Sequence, residues 1–184
     1  MVNPAPNKNP DKTRVLGIDP GLNTTGYGVI EFDNHQPGFG RGRILEAGIV
    51  KSKAAASIES RLREIYTGVN EVIQSFHPDL LALEQLFSHY ERPRTAILMG
   101  HARGVICLAA GQAGIDVAHF EPTRVKKVMT GNGRAPKHQI QSAVKMHLGL
   151  DKIPEPADVA DALAIALCGH HLGTKSSMEQ KLGI

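Results

Sequence analysis

The stretch between residues 157 and 168 limits the fold more than any other part of the sequence, because ten of its twelve residues are apolar. A helix this apolar is normally enclosed by other elements on all sides. Its two remaining residues, Asp158 and Asp161, lie three positions apart and therefore project from nearly the same face. For Asp158 alone, a place near the helix N-terminus, where the macrodipole favours negative charge, is a sufficient structural explanation. Asp161 should lie a turn further in, and buried charges either neutralise, pair or bind a metal.

The order of the hydrophobic patterns predicts what encloses this helix. Three strand patterns come first, at residues 14–19, 27–32 and 44–50, and they predict an antiparallel meander. Helix and strand patterns then alternate, with helices expected at 57–76, 94–110, 122–130, 136–148 and 156–171 and strands at 79–84 and 115–120. The expected fold is therefore α/β, one mixed five-stranded sheet flanked by helices.

Length and composition predict a single domain. The chain has 184 residues, 41% hydrophobic and 21% charged, which is typical of a soluble globular protein. Residues 1–13 are rich in proline and asparagine and are expected to be a flexible arm, and residues 173–184 a flexible tail. This leaves 14–172 as the domain.

The cysteines and the N-terminus favour a cytoplasmic protein. Cys107 and Cys168 both lie in apolar stretches and cannot form a disulfide framework. No uninterrupted apolar run reaches the ~18 residues of a membrane span, and the polar first residues contain no signal-peptide core. His170 and His171 follow the last predicted helix, where we expect solvent-exposed positions at its C-terminus.

Two further acids interrupt the apolar pattern. Asp19 and Glu84 each end a short apolar strand, and the carboxyl ends of strands are where such sheets bind ligands. Either one could instead be a solvated strand end. If all four acids converged, each pair ~5 Å apart would cost on the order of 3 kcal/mol at an effective dielectric constant of ~20. Divalent cations relieve that repulsion, and all-oxygen ligands favour Mg²⁺ or Mn²⁺ over zinc.

Four short motifs, in this order and at these separations, resemble the RuvC family of Holliday-junction resolvases, which are homodimeric nucleases with an RNase H-like fold. The motifs are LGIDPG at 16–21, LEQLF at 83–87, HARGV at 101–105 and ADVADALA at 157–164. The resemblance extends from about residue 15 to residue 170. It implies that Asp19, Glu84, Asp158 and Asp161 are the catalytic and metal-binding residues.

The resemblance also implies the chemistry and the partners. It implies two Mg²⁺ ions per subunit, with Mn²⁺ as a substitute, and a metal-activated water that attacks in line. The products would carry a 5′-phosphate and a 3′-hydroxyl, and the expected partners are four-way junction DNA, a second copy of the chain, RuvA and RuvB. Phe87 would stack on an unpaired base near the junction centre, with assistance from Tyr90 and Arg94. Its structural alternative is a cap over the sheet edge.

Basic residues concentrate in one segment. Residues 121–145 carry a net charge of +5, whereas the whole chain carries +3, and this is the pattern of a phosphate-binding surface. The basic residues are Arg124, Lys126, Lys127, Arg134, Lys137 and Lys145. By resemblance, Lys126 and Lys137 contact DNA, and Arg124 and Arg134 are further candidates. A solvated helical face is the alternative explanation.

A dimer is expected for a geometric reason. Two symmetric nicks require two equivalent sites, which an isologous dimer supplies. The helix with small residues at 100–110 is the candidate interface, both by resemblance and because small residues permit close approach.

Two other functions remain open at this point. Residues 19–25 resemble the phosphate-binding hairpin of nucleotide-binding ATPases of the actin and Hsp70 type, but those proteins need two such domains. A non-catalytic junction-binding module is the second alternative, against which the presence of all four acids argues.

Overall fold

A computed structural model gives the structure of residues 9–36, 42–86 and 93–182. Five strands form one sheet in the order β3-β2-β1-β4-β5. Their bounds are β1 Lys12–Asp19, β2 Thr24–Asp33, β3 Arg43–Lys51, β4 Leu80–Glu84 and β5 Asp116–Phe120. β1 pairs antiparallel with β2 and parallel with β4, β2 pairs antiparallel with β3, and β4 pairs parallel with β5. The predicted mixed sheet is confirmed.

Helices cover both faces of the sheet. They are α1 Ile58–Phe76, α2 Pro93–Ala113, α3 Pro122–Thr130, α4 Lys137–Leu148 and α5 Ala157–Leu182. One core lies between the sheet and α3, α4 and α5, and it includes Ala82 of β4 and Phe120 of β5. The other lies between the sheet and α1 and α2, and it includes Leu81 and Leu83 of β4. Alternate residues of β4 therefore point to opposite cores, as the pleat of a strand requires.

Glycines in the two central strands allow α5 to lie directly on the sheet. A Cβ at Gly17 would overlap the carbonyl oxygen of Ala162, and a Cβ at Gly26 would overlap that of Asp158. Gly28, which pairs with Gly17, lies against Leu163. Glycine inside a strand often marks such a close backbone approach. The approach fixes the position of α5, and with it the position of the acids in its first turns.

The strand β1 begins at Lys12, two residues before the predicted start. A buried carboxylate on β2 explains the difference: Glu31 is 6% exposed and binds Lys12 Nζ at 2.9 Å, Arg14 Nε at 3.1 Å and Arg43 Nη2 at 3.1 Å. These contacts hold the pKa of Glu31 down at about 2. The first strand is thus tied to its neighbours by charge as well as by its backbone.

Other boundaries also differ from the sequence prediction: β2 begins at Thr24 instead of 27, and α2 ends at Ala113 instead of 110. The last helix extends to Leu182 instead of ending at 171, because a single Gly173 in a stretch without proline does not stop a helix. The predicted tail from 173 is therefore helical through Leu182. Pro136 is the N-cap of α4 and not its first helical residue.

His170 is buried, so the expectation of a solvent-exposed position was wrong. It is 3% exposed, and its ring stacks on Phe32 with centroids 3.7 Å apart and planes inclined by 2°. The cause is the packing of α5 against the sheet, which places the His170 ring on Phe32 of β2. Burial lowers the pKa of His170 to about 4, with a smaller contribution from His171.

Helix α2 is the most apolar of the exposed elements. By length and composition alone, residues 94–113 are long and apolar enough to cross a membrane. The sequence expectation considered only uninterrupted runs, and Arg94 and Arg103 interrupt this one. The inner face of α2 contributes Ala102, Ile106 and Ala109 to the core shared with α1, which is the pattern of a core helix with one open face.

Candidate active site

The four acids come from three separate segments and meet at one edge of the sheet. Asp19 ends β1 and Glu84 ends β4, and these neighbouring parallel strands pair Ile18 with Leu83 one position earlier. Asp158 and Asp161 lie in the first two turns of α5. Asp19 pairs across the sheet with Gly26, and Gly26 is the glycine against which the Asp158 backbone packs. The predicted convergence therefore has a direct structural basis.

The electrostatics of Asp19 show how closely the acids approach. The pKa of Asp19 is raised to about 7, mainly by burial and then by the negative charges of Glu84, Asp161 and Asp158 in that order. Lys137 opposes the shift. Desolvation and nearby like charge each raise the pKa of a carboxyl group. Asp19 has both.

Glu84 experiences a similar but more balanced environment. Burial and the charge of Asp161 raise its pKa, whereas the charges of Lys126, Arg103 and Lys137 lower it. Glu84 therefore lies at the boundary between the acidic cluster and a group of cations.

A protein cation is paired with one of the acids. Lys137 Nζ donates a hydrogen bond to Asp161 Oδ2 at 2.6 Å, and this contact raises the pKa of Lys137. The pair lies at an open cleft of about 220 Å³ between β4, α3, α4 and α5. Its lining includes Glu84, Lys126, Lys137 and Asp161 over an apolar floor. The cleft thus brings together both signs of charge.

The donor set fits a hard divalent cation. All four candidate ligands are carboxylates, and oxygen ligands are those that Mg²⁺ and Mn²⁺ prefer. In their present positions, however, no three His, Cys, Asp or Glu side chains among residues 9–36, 42–86 and 93–182 lie close enough to hold one ion. Asp161 is turned toward Lys137. A site with three carboxylate ligands would therefore require side-chain rotation at this edge.

The predicted DNA-binding residues separate into two groups. Lys126 and Lys137 line the cleft with the acids. Arg124 and Arg134 do not line it: Arg124 lies near enough to Cys168 to oppose the raised pKa of that thiol, and Arg134 is exposed in the loop before α4. Phe87 and Tyr90 lie outside the described residues, and Arg94 is exposed in the first turn of α2.

Sequence reasoning missed Arg103. It lies on α2, acts electrostatically on Glu84, and donates a hydrogen bond to His119 Nδ1 at 2.9 Å. Its position inside the HARGV motif was the available indication.

Known proteins that are similar to this chain show its family. The family model "Crossover junction endodeoxyribonuclease RuvC" matches residues 15–170. The chain belongs to the RuvC family. A crossover junction endodeoxyribonuclease of Rhodopirellula baltica is 66% identical over 158 residues, which cover 86% of this chain and 86% of that protein. The protein is therefore an endonuclease of crossover junctions, an enzyme that hydrolyses phosphodiester bonds, and nucleases of this family are metal-dependent.

Solved structures give the same result. RuvC of Thermus thermophilus superposes with a TM-score of 0.82 at 33% identity, and the match covers 89% of this chain and 97% of that one. A second structure of the T. thermophilus protein, in complex with a Holliday junction substrate, has a TM-score of 0.82 at 32% identity and covers 90% and 97%. The yeast mitochondrial Holliday junction resolvase Ydc2 shares the fold, with a TM-score of 0.66 at 12% identity over 92% of this chain and 82% of that one.

Proposed function

We propose that the protein resolves four-way DNA junctions in recombination and repair by paired symmetric nicks that leave 5′-phosphate and 3′-hydroxyl ends. The catalytic residues in this proposal are Asp19, Glu84, Asp158 and Asp161. The observation that carries the assignment is the pKa of Asp19, which is raised to about 7 by burial and by the other three acids. Such a cluster is unfavourable for folding, and a functional site is a common reason for retaining one.

The same four carboxylates are proposed to hold two Mg²⁺ ions, with Mn²⁺ as a substitute. When bound, the ions supply a nucleophilic water and neutralise charge on the scissile phosphate. The protein residues position these groups: the glycine contacts of β1 and β2 hold α5 so that Asp158 and Asp161 face the strand ends. The apolar floor of the cleft, which includes Val125, Ile140 and Ile165, limits the access of bulk water from below.

Lys126 and Lys137 are proposed to bind the DNA backbone. Both lie at the mouth of the cleft beside the acids, so a phosphate at the carboxylates would also be within their reach. Arg124 and Arg134 would contact more distant phosphates, since they lie outside the cleft. By resemblance to the family, Phe87, which follows Glu84 by three residues, is proposed to stack on an unpaired base at the junction centre.

A homodimer is proposed to form through the open face of α2. Ile97 is 62% exposed and Leu108 is 52% exposed, although both are large apolar residues. Between them, a Cβ at Gly100 or Gly104 would have no described heavy atom within 4 Å. An apolar face with a flat centre suits the close approach of a second, symmetry-related helix. Two sites related by a two-fold axis would then match the two-fold symmetry of the junction.

The remaining proposals concern the cell. The predicted domain, residues 14–172, would act as one nuclease unit, which β1 extends to Lys12 and α5 extends to Leu182. RuvA and RuvB are the proposed protein partners, and the cytoplasm is the proposed location.

Cleavage of a synthetic four-way junction with labelled strands tests the proposal. In Mg²⁺, we expect nicks at symmetry-related positions in two opposing strands, with ends that DNA ligase reseals. A linear duplex with the same arm sequences is the control and should remain intact. Tight junction binding without nicks in either Mg²⁺ or Mn²⁺ would instead favour the non-catalytic binding module.

A further inference from the structure

An open groove lies on the opposite face of β4 from the acids. It has a volume of about 430 Å³ and is lined by Gln85, Leu86, Gly100, Arg103 and His119. His119 pairs with Leu83 in the sheet, and Leu83 belongs to the core under α1 and α2. Glu84 faces the other core and the cleft of the acids. The groove and the candidate active site therefore share one sheet edge but open on its two faces.

The Arg103–His119 hydrogen bond determines which hydrogen-bond donors of these two side chains remain for a ligand in the groove. Arginine has only donors, so His119 Nδ1 must accept, and the proton of the neutral ring lies on Nε2. Burial and the Arg103 charge lower the pKa of His119, which keeps the ring neutral at neutral pH. The pair therefore presents guanidinium N–H groups and one imidazole N–H group, which are donors for an anion.

Among the described residues that line the groove, none is acidic, so none matches the charge of Arg103. Arg103 acts on Glu84 through space, but no ion pair joins these two side chains among the described contacts.

We propose that Arg103 and His119 bind a backbone phosphate of the junction DNA. This inference rests on the proposed function, because it requires DNA to reach the edge of the sheet where β4 ends. A strand that leaves the cleft of the acids and crosses that edge meets the groove next. The site would hold one DNA strand on both faces of β4 and so orient the scissile phosphate without contacting it.

The salt dependence of junction binding, measured without metal ions to prevent cleavage, tests this directly. Each phosphate contact contributes about 0.9 to the slope of log K against log salt for duplex DNA. Arg103→Met keeps the aliphatic stem, and we expect it to lower the slope by about one and to weaken binding roughly tenfold. Arg63→Met removes an equal charge from an exposed position on α1 and serves as the matched control, with an unchanged slope.

A scan of neutral methylphosphonate linkages along the junction strands identifies the contacted phosphate. At one position, the neutral linkage should weaken junction binding by the wild type about tenfold. The same linkage should not weaken binding by Arg103→Met any further, since that variant has already lost the contact. Binding by His119→Leu should also respond less to this linkage than binding by the wild type. The difference should be smaller than for Arg103→Met, because only one neutral donor is removed. Additive losses at every linkage for both variants would overturn the proposal.

Two further results separate this inference from its alternatives. If Arg103→Met sediments as a monomer where the wild type is a dimer, the groove serves the subunit contact and the proposal is wrong. If the wild type cuts junctions symmetrically and Arg103→Met retains the wild-type slope, this inference fails and the proposed function stands. A wild type that neither binds nor cuts junctions would remove both.

Discussion

Lys137 Nζ lies 2.6 Å from Asp161 Oδ2, so a protein cation neutralises one acid of the cluster that is proposed to bind metal. The ion pair offsets part of the repulsion among the four carboxylates at this sheet edge. It also implies competition, because an ion bound through Asp161 Oδ2 would displace the Lys137 ammonium. Once displaced, Lys137 is available to a DNA phosphate at the mouth of the cleft.

Asp161→Asn should bind four-way junctions and fail to cut them. The amide keeps the shape of the side chain but removes the charge that a metal ion needs, and we expect a loss of at least about 100-fold in the cleavage rate. Single-turnover cleavage in Mg²⁺, with binding measured separately, checks this. Asp151→Asn, an exposed acid in the loop before α5, is the control and should cut normally. Full activity of the Asp161 variant would remove it from the mechanism.

Lys137→Ala should make junction binding less dependent on salt: the slope of log K against log salt concentration should decrease in magnitude by about one. The effect should be larger with Ca²⁺ present than without metal, since Lys137 is paired with Asp161 in the metal-free site. Titration of junction DNA at several salt concentrations provides both slopes. A slope equal to that of the wild type in Ca²⁺ would contradict a phosphate contact.

Asp19→Asn should stabilise the metal-free protein above about pH 7. The pKa of Asp19 is raised from 3.8 to about 7, so the folded state binds a proton that the unfolded state has lost, and this group reduces stability progressively as pH rises between these values. The gain from the variant should be roughly 1 to 3 kcal/mol after allowance for solvent screening. Urea unfolding at about pH 5 and about pH 8 measures it. Equal effects at both values would show that Asp19 is not under electrostatic strain.

Metal binding should reverse that dependence for the wild type. Because protons and cations compete for Asp19, the affinity for Mn²⁺ should rise with pH up to about 7 and then level off. Calorimetric titration across this range tests the expectation, and a pH-independent affinity would argue against Asp19 as a ligand.

His170→Phe should make the fold less sensitive to acid. The pKa of His170 falls from 6.5 in the unfolded chain to about 4 in the folded one, so its neutral form supports folding above about pH 6.5 and that contribution is lost as pH decreases toward 4. Phenylalanine preserves stacking on Phe32 without a titratable group. Urea midpoints at about pH 7 and about pH 5 should differ less for this variant than for the wild type. His138→Phe, at an exposed position on α4, should keep the wild-type difference.

Leu108→Glu should dissociate the proposed dimer. A charge on the open face of α2 would be buried without a partner in a symmetric interface, which costs several kcal/mol. Sedimentation at micromolar concentration should show a monomer that no longer makes paired nicks. Met146→Glu, at a residue that is 71% exposed on α4, is the matched control. A dimeric Leu108→Glu protein would place the interface elsewhere.

The sequence was most informative where a residue contradicted its neighbours. Asp19, Glu84 and Asp161 were identified because each interrupts an apolar pattern, and the order of patterns predicted the sheet. The pairing of Lys137 with Asp161 could not be predicted, because it depends on the packing of α4 against α5 and not on any local pattern. Burial of His170 was missed for the same reason: it follows from the stacking partner on β2. Arg103 was hidden because a lone arginine in a small-residue helix has no distinctive periodicity.

Gly17 and Gly26 limit how the thermal stability of this enzyme can be increased by mutation. Glycine in a strand is usually the first position chosen for replacement by valine or alanine, since strand propensity improves. Here the added methyl groups would push α5 away from the strands and carry Asp158 and Asp161 with it. A screen for thermal tolerance alone would therefore risk selecting inactive proteins, and these two positions should be held constant in any such library.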